Sequence, residues 1–313
     1  MKSDNEYLIA SRERYNGVIK WGGVVKKITF SIKQREVFRK VLIIISFAVF
    51  LFSLIMIVRR EIDSYKTEKL NNELSKIHEV INIKETTNIY NDMTDEVDYL
   101  KAKRKEIDER NKIEEEKNDN EINNQIQQLK KINSDIKGWI RIDNTQINNP
   151  VVQTVDNSFY LEHDVGKSKN SNGTIFIDEI NDVSSPQELH GQNIILYGHH
   201  MKNGSMFGTL EKFRGAEFFK ENETIYFDLF PNTYRFQVFG VFLVNEDFDY
   251  RNTMLGNEEN INNFLNRLKI NSLQNRDVTL TTNDTILTLS TCEYDFADAR
   301  LVVMAKLITN DER

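Results

Sequence analysis

The chain has 313 residues, 28% of them charged, and a formal net charge of −7. That charge gives no footprint for nucleic acid, and the C-terminal half shows no basic stripe with interleaved aromatics of the kind that phosphate tracking and base stacking require. Three prolines and thirteen glycines exclude a Pro-rich spacer or a collagen-like stalk, one cysteine forbids an intrachain disulfide, and five scattered histidines show no metal-ligand spacing, so no metal or other cofactor is expected.

Residues 1–40 form a basic segment, with ten Lys/Arg against four Asp/Glu. Residues 41–58 follow as VLIIISFAVFLFSLIMIV, eighteen residues without a charge. At about 1.5 Å per residue this run approaches the ~30 Å hydrocarbon thickness of a bilayer and predicts a transmembrane helix. Arg59 and Arg60 come next instead of a small-residue cleavage site, so the anchor is expected to stay attached. Six Lys/Arg in the twenty residues before the run against five in the twenty after it barely orient the span. The basic excess of the first forty residues favours a cytoplasmic N-terminus and places everything after Arg60 outside.

From 59 to 120 the composition turns to Glu, Lys, Asn and Asp, with apolar sets at helical spacing: Leu70, Leu74, Ile77 and Ile81, then Met93, Val97 and Leu100. Two readings stand. One is a membrane-proximal coiled coil or helical stalk; the other is a solvated linker, above all through KAKRKEIDERNKIEEEKNDNE, where apolar residues are too sparse to offset the entropy of ordering.

Residues 121–313 read as a separate, mostly β domain. An amphipathic helix carries Ile122, Ile126 and Leu129, after which come the runs GWIRI, PVVQTV, GTIFID, NIILYG, TIYFDLF, TYRFQVFGVFLV, DVTLTT, TILTLSTC and ARLVVMAKLI. Eight or nine short strands, several apolar on both faces, fit a closed barrel or a tight sandwich better than a helix-alternating parallel sheet. Two helices interrupt them: SMFGTLEKF, with Met206, Leu210 and Phe213 on one side, and EENINNFLNRLKI, with Ile261, Phe264, Leu265 and Leu268 at i, i+3, i+4 and i+7.

The lone Cys292 is either a buried small hydrophobe or a reactive thiol. Strand alternation puts Ile286, Thr288, Ser290 and Cys292 on one face and leaves Cys292 at the strand's end, where a thiol is more reachable. Seven residues, EYDFADA, separate it from Arg300, so a hairpin returns the guanidinium to the cysteine's end of the sheet; alternatively Arg300 is a surface residue paired with Asp295 or Asp298. In NIILYGHHMKNGSMFG an apolar strand ends at Gly198 and two histidines follow, where catalytic groups are commonly presented. His199 and His200 point in different directions, so at most one faces the thiol; two exposed loop histidines are the other reading.

TLSTC at 288–292, the following Arg300 and YGHHMKNGSMFG at 197–208 together resemble the sortases, and specifically class B. The resemblance covers about residues 121 to 313, from INSDIKGWIRIDNTQINNPVVQTVDNSFYLEHDV through the extra helix that class B inserts before its last strands. It implies a closed eight-stranded sortase-type β-barrel with N-terminal helices, behind a transmembrane helix. It also implies a membrane-anchored cysteine transpeptidase that cleaves the C-terminal sorting signal of exported proteins after a threonine, through a thioester, and passes the protein to a cell-wall precursor amine. On this resemblance Cys292 is the nucleophile, His199 and not His200 is its proton partner, and Arg300 holds the substrate or the oxyanion; Thr291, next to the nucleophile, and Ser290, on its strand face, are either substrate or oxyanion contacts or strand-filling β-formers. Class B signals commonly resemble NPQTN. A pilin-polymerising sortase with a lysine acceptor, a peptidase that releases its product to water, and a non-catalytic membrane scaffold with a coiled stalk are the competing readings.

Overall fold

The structure, a computed structural model, describes residues 18–21, 24–27, 32–82, 122–245, 247–251, 256–292 and 299–308. Two units divide the chain, Met1–Glu61 and Ile62–Arg313. The first holds an antiparallel hairpin of β1 (Val18–Trp21) and β2 (Val24–Lys27), and the start of α1 (Ile32–Asn82), which ends in the second. Between residues 36 and 78, α1 contains a stretch long and apolar enough to cross a membrane by length and composition, with a mean hydropathy of 3.2 and none of that window buried. Met93, Val97 and Leu100 of the expected stalk lie outside the described residues.

In the second unit, β-branched and aromatic runs become strands because their alternating side chains fill one shared interior. These are β3 (Ile136–Ile142), β4 (Asn148–Val152), β5 (Phe176–Ile177), β6 (Asn193–Tyr197), β7 (Thr224–Leu229), β8 (Asn232–Asn245), β9 (Ser272–Asn275), β10 (Ile286–Cys292) and β11 (Ala299–Leu307). Hydrogen bonding runs β11-β10-β6-β5-β4-β3-β7-β8, and pairing of β11 with β8 from Ala299↔Asn245 to Leu307↔Phe236 closes an eight-stranded barrel. The sortase-type barrel expected from the motifs is thus the observed fold, with β9 added outside the closed ring on β8.

Three apolar clusters hold it together. Ile140, Val151, Leu196, Phe227, Leu287, Leu289, Leu301 and Val303 fill the barrel interior. On the outside of β8, β10 and β11, the stripe of α4 (Glu258–Ile270) meets Phe239, Phe242, Val244, Val302 and Met304 with Ile261, Phe264 and Leu268. Asn257 caps that helix by accepting a hydrogen bond from the Asn260 backbone. A third cluster joins Leu74 of α1 and Leu129 of α2 (residues 122–132) to Ile136, Trp139, Tyr160 and Phe176, with Leu70 and Ile77 packed alongside. The stripe at Leu70, Leu74 and Ile77 therefore faces the barrel.

Two predicted elements take a different form. DVTLTT is not a strand: Leu280 and Val278 turn into the cluster under α4, while Arg276 donates to the carbonyls of Val238 and Phe219, so the chain leaves the ladder after Asn275. SMFGTLEKF gives a 3-10 helix at Gly208–Arg214, followed by α3 (Ala216–Glu221), instead of one α-helix. A Cβ at Gly208 would lie 2.1 Å from the Met201 carbonyl oxygen, so tight looping precedes that turn and no side chain caps it. Its apolar residues Met206, Leu210 and Phe213 are buried as expected.

Candidate active site

The sheet register assembles the predicted residues. β6 and β10 run parallel with Ser290 opposite Tyr197, and the Gly198 N–H continues the ladder to the Ser290 carbonyl at 3.3 Å. β6 ends at Tyr197, so His199 follows it two residues on, at the same end of the parallel pair at which Cys292 closes β10. On the other side β11 pairs antiparallel with β10, and Arg300 lies directly opposite Cys292. Cys292 and Arg300 thus sit opposite each other on β10 and β11, and His199 follows the end of β6, the other neighbour of β10.

His199 is held from behind. Its Nε2 lies 2.7 Å from the carbonyl oxygen of Leu161. A carbonyl only accepts, so Nε2 donates this bond and Nδ1 is the ring nitrogen left for other partners. Gly173, at φ +62, packs against the ring: a Cβ there would stand 3.1 Å from His199 Cδ2 and 2.6 Å from the Tyr160 carbonyl oxygen. His200 turns elsewhere, with Nε2 3.6 Å from Glu211 Oε2 and its backbone bridged to Met206. Arg300 is half-buried, and its Nη1 donates to the Ala299 carbonyl at 3.2 Å.

Ser290 and Thr291 are both buried. The Ser290 hydroxyl bonds the Tyr250 hydroxyl at 2.8 Å, so it can reach a substrate only by giving up that partner. Thr291 Oγ1 has no hydrogen-bond partner among the described residues, and its strand position shares the face of Leu287 and Leu289 of the barrel interior.

The chain is similar to known proteins. The Sortase domain family model fits residues 140–308. The chain is 36% identical over 194 residues to Sortase B of Staphylococcus aureus, covering 61% of this chain and 78% of that protein. It is 33% identical over 191 residues to Sortase B of Listeria monocytogenes, covering 60% and 76%. A solved Staphylococcus aureus sortase B–substrate complex aligns at 37% identity and a TM-score of 0.54, over 59% of this chain and 85% of that one. The chain belongs to the sortase family.

As a cysteine transpeptidase of the sortase B type, this enzyme has a polar network at the end of β6 that sequence reasoning missed. Asp178, 0% exposed, accepts from the Tyr197 hydroxyl at 2.7 Å, Arg251 at 2.9 Å, and Asn157 Nδ2 and the Ile180 N–H, each at 3.1 Å. Burial pushes this carboxyl up, but hydrogen bonds from Tyr197, Asn157, Ile180 and Arg251 outweigh it and leave the pKa below the usual carboxylate value. Burial, then the Asp178 carboxylate, raises the phenol of Tyr197, two residues before His199. The network pins the 247–251 segment of the sortase across β6 and β10, since Asn193 Nδ2 also donates to the Tyr250 carbonyl at 2.9 Å. The signal available in the sequence was an aspartate closing the apolar run GTIFID; its partner Arg251 lies 73 residues away.

Asp178→Asn should therefore destabilise the sortase by about 2 kcal/mol at neutral pH, because an amide cannot accept from all four donors. With the folded pKa lowered, the wild-type contribution is fully present above about pH 4 and is lost as pH falls through the folded value. Unfolding measured across pH should converge for the two proteins only on the acid side.

Proposed function

We propose that this sortase is anchored by residues 41–58 with its N-terminus cytoplasmic and its catalytic domain outside. There it cleaves C-terminal sorting signals of exported proteins after threonine and transfers the acyl group to a cell-wall precursor amine. What supports this reading is that Cys292 pairs with Arg300 across β10 and β11, while His199 follows the end of β6, the parallel neighbour of β10. The substrate bound to the Staphylococcus aureus relative supports a sorting peptide as the partner.

The chemistry follows from these three residues. The Cys292 thiolate attacks the threonine carbonyl carbon; the C–N bond breaks as the His199 Nδ1 proton passes to the leaving amine, and a thioester remains. The acceptor amine then attacks the thioester, the C–S bond breaks, and His199 takes back a proton. Arg300 stabilises the oxyanion or holds substrate carbonyls through its guanidinium N–H groups, which only donate. Anchoring keeps enzyme, exported protein and wall precursor at one membrane face, which raises their effective concentration.

The test incubates the full chain in detergent with a labelled NPQTN-like peptide and a series of amines. The expected result is a hydroxylamine-sensitive acyl-enzyme and an amine-ligated product whose yield rises with acceptor concentration. Cleavage to the free acid alone, unchanged by every amine, would overturn the transferase reading in favour of a hydrolase. A pilin-type lysine peptide outcompeting wall-type amines would overturn the wall-anchoring assignment.

A further inference from the structure

We propose that residues 63–78 of α1 are a positioning element of the active site: they fix the 159–174 loop pair, and through it the ring of His199. The proposal rests on the reading of His199 as the proton carrier.

Apolar contacts already dock this part of α1. Leu74 is 1% exposed, Leu70 and Ile77 pack on the same cluster, and His78 bonds Asp228 at 2.6 Å while stacking on Trp139. One turn nearer the helix's start the contacts change character. Asn170 Nδ2 donates to the Thr67 hydroxyl at 2.9 Å and to the Asp63 carbonyl at 3.3 Å. The Ser171 hydroxyl donates to Asp63 Oδ2 at 3.0 Å, and Asn172 Nδ2 to the Ser64 hydroxyl at 3.3 Å. Thr67, Asn170 and Asn172 are all buried. Apolar residues here would bind the helix as well or better, since buried polar pairs add little net affinity. A polar row specifies geometry instead, because each donor is satisfied in only one arrangement of the loop.

The geometry it specifies leads to the histidine. The other end of the Asn170 side chain accepts from the Asn172 N–H at 3.0 Å, and its carbonyl accepts from the Gly173 N–H at 3.2 Å, which closes the turn that carries Gly173 at φ +62. Gly173 is the residue against which the His199 ring rests. Both ends of this turn are strapped to the chain around Leu161: the Asn170 N–H donates to the Glu162 carbonyl at 2.7 Å and the Thr174 N–H to the Tyr160 carbonyl at 2.9 Å. Leu161 supplies the carbonyl that holds His199 Nε2. From Thr67 to the imidazole the path is continuous: helix hydroxyl, Asn170 amide, turn, Leu161 carbonyl, ring. Asp135, Asp164, Lys167 and Lys169 also lie on or near this loop pair but pair locally, Lys167 with Asp135 at 2.8 Å and Lys169 with Glu162 at 3.3 Å.

The experiment uses the full chain in detergent and compares Thr67→Val, Thr67→Ser, Ser64→Ala and His199→Ala with the parent in the peptide-ligation assay. Thr67→Val keeps the shape and removes the hydroxyl; it should lower kcat about fivefold with KM within about twofold, since small misplacements of a catalytic group are costly. Thermal stability should change little. Thr67→Ser should restore the parent kcat, and Ser64→Ala should lower kcat in the same direction by about twofold. Parent kcat in both Thr67→Val and Ser64→Ala would overturn the proposal, as would a loss that follows thermal stability and is not rescued by serine. Full activity of His199→Ala would instead overturn the catalytic reading itself, so the two failures are distinct.

Discussion

Cys292→Ala is expected to lower peptide ligation by about 10³-fold or more and to remove every covalent intermediate. The chain has one cysteine, so no neighbouring thiol can substitute and any thiol-directed label reports on this position alone. Because the residue ends β10, opposite Arg300, its replacement removes the sulfur without disturbing the ladder between β10 and β11, and peptide binding should survive. Mass spectrometry of enzyme mixed with sorting peptide should show an acyl adduct on the parent and none on the variant, with thermal unfolding unchanged within about 1 kcal/mol. A variant that still supports full surface-protein attachment in cells would revive the reading of the barrel as a non-catalytic scaffold.

That site was legible because it is built from local signals. A strand ending at Gly198 before two histidines, and a strand ending at Cys292 seven residues before Arg300, each show where a side chain leaves the sheet. The sequence does not show that these two strands are neighbours; the parallel pairing of β6 with β10 supplies that. Strand runs were equally readable wherever both faces are buried, as in NIILYG and ARLVVMAKLI. DVTLTT failed because its apolar residues serve a cluster outside the barrel, and an alternating pattern reports burial without reporting a ladder. Similarly, Leu70, Leu74 and Ile77 announced one apolar helix face, but nothing in their spacing distinguishes a partner helix from a barrel wall.

What stayed hidden is polar and long-range. Asp178 meets Arg251 across 73 residues and Asn170 meets Thr67 across 103. Gly173 packs against the His199 ring, where a Cβ would stand 3.1 Å from Cδ2, and the NSNG sequence alone does not announce that contact. Such contacts leave no period in the sequence, because one residue type at one place suffices.

Asp228→Ala, finally, should cost the catalytic unit about 3 kcal/mol and lower its melting temperature by roughly 6–12 °C. His78 and Asp228 are 2% and 5% exposed, and they meet across 150 residues at 2.6 Å. The imidazole stacks on Trp139 with centroids 4.4 Å apart and planes at 11°, so it is fixed in place and cannot swing out to water when its acceptor is removed. The variant then buries an imidazole N–H with no acceptor, and the full desolvation penalty appears. Pairing the change with His78→Phe separates that penalty from lost packing: an aromatic ring keeps the stack on Trp139 and carries no donor. Most of the stability should return in the double variant, and a thermodynamic cycle over the four proteins should give a coupling of about 2 kcal/mol. If the double variant is instead as unstable as the two single losses added together, the pair holds α1 through shape alone and its hydrogen bond contributes nothing.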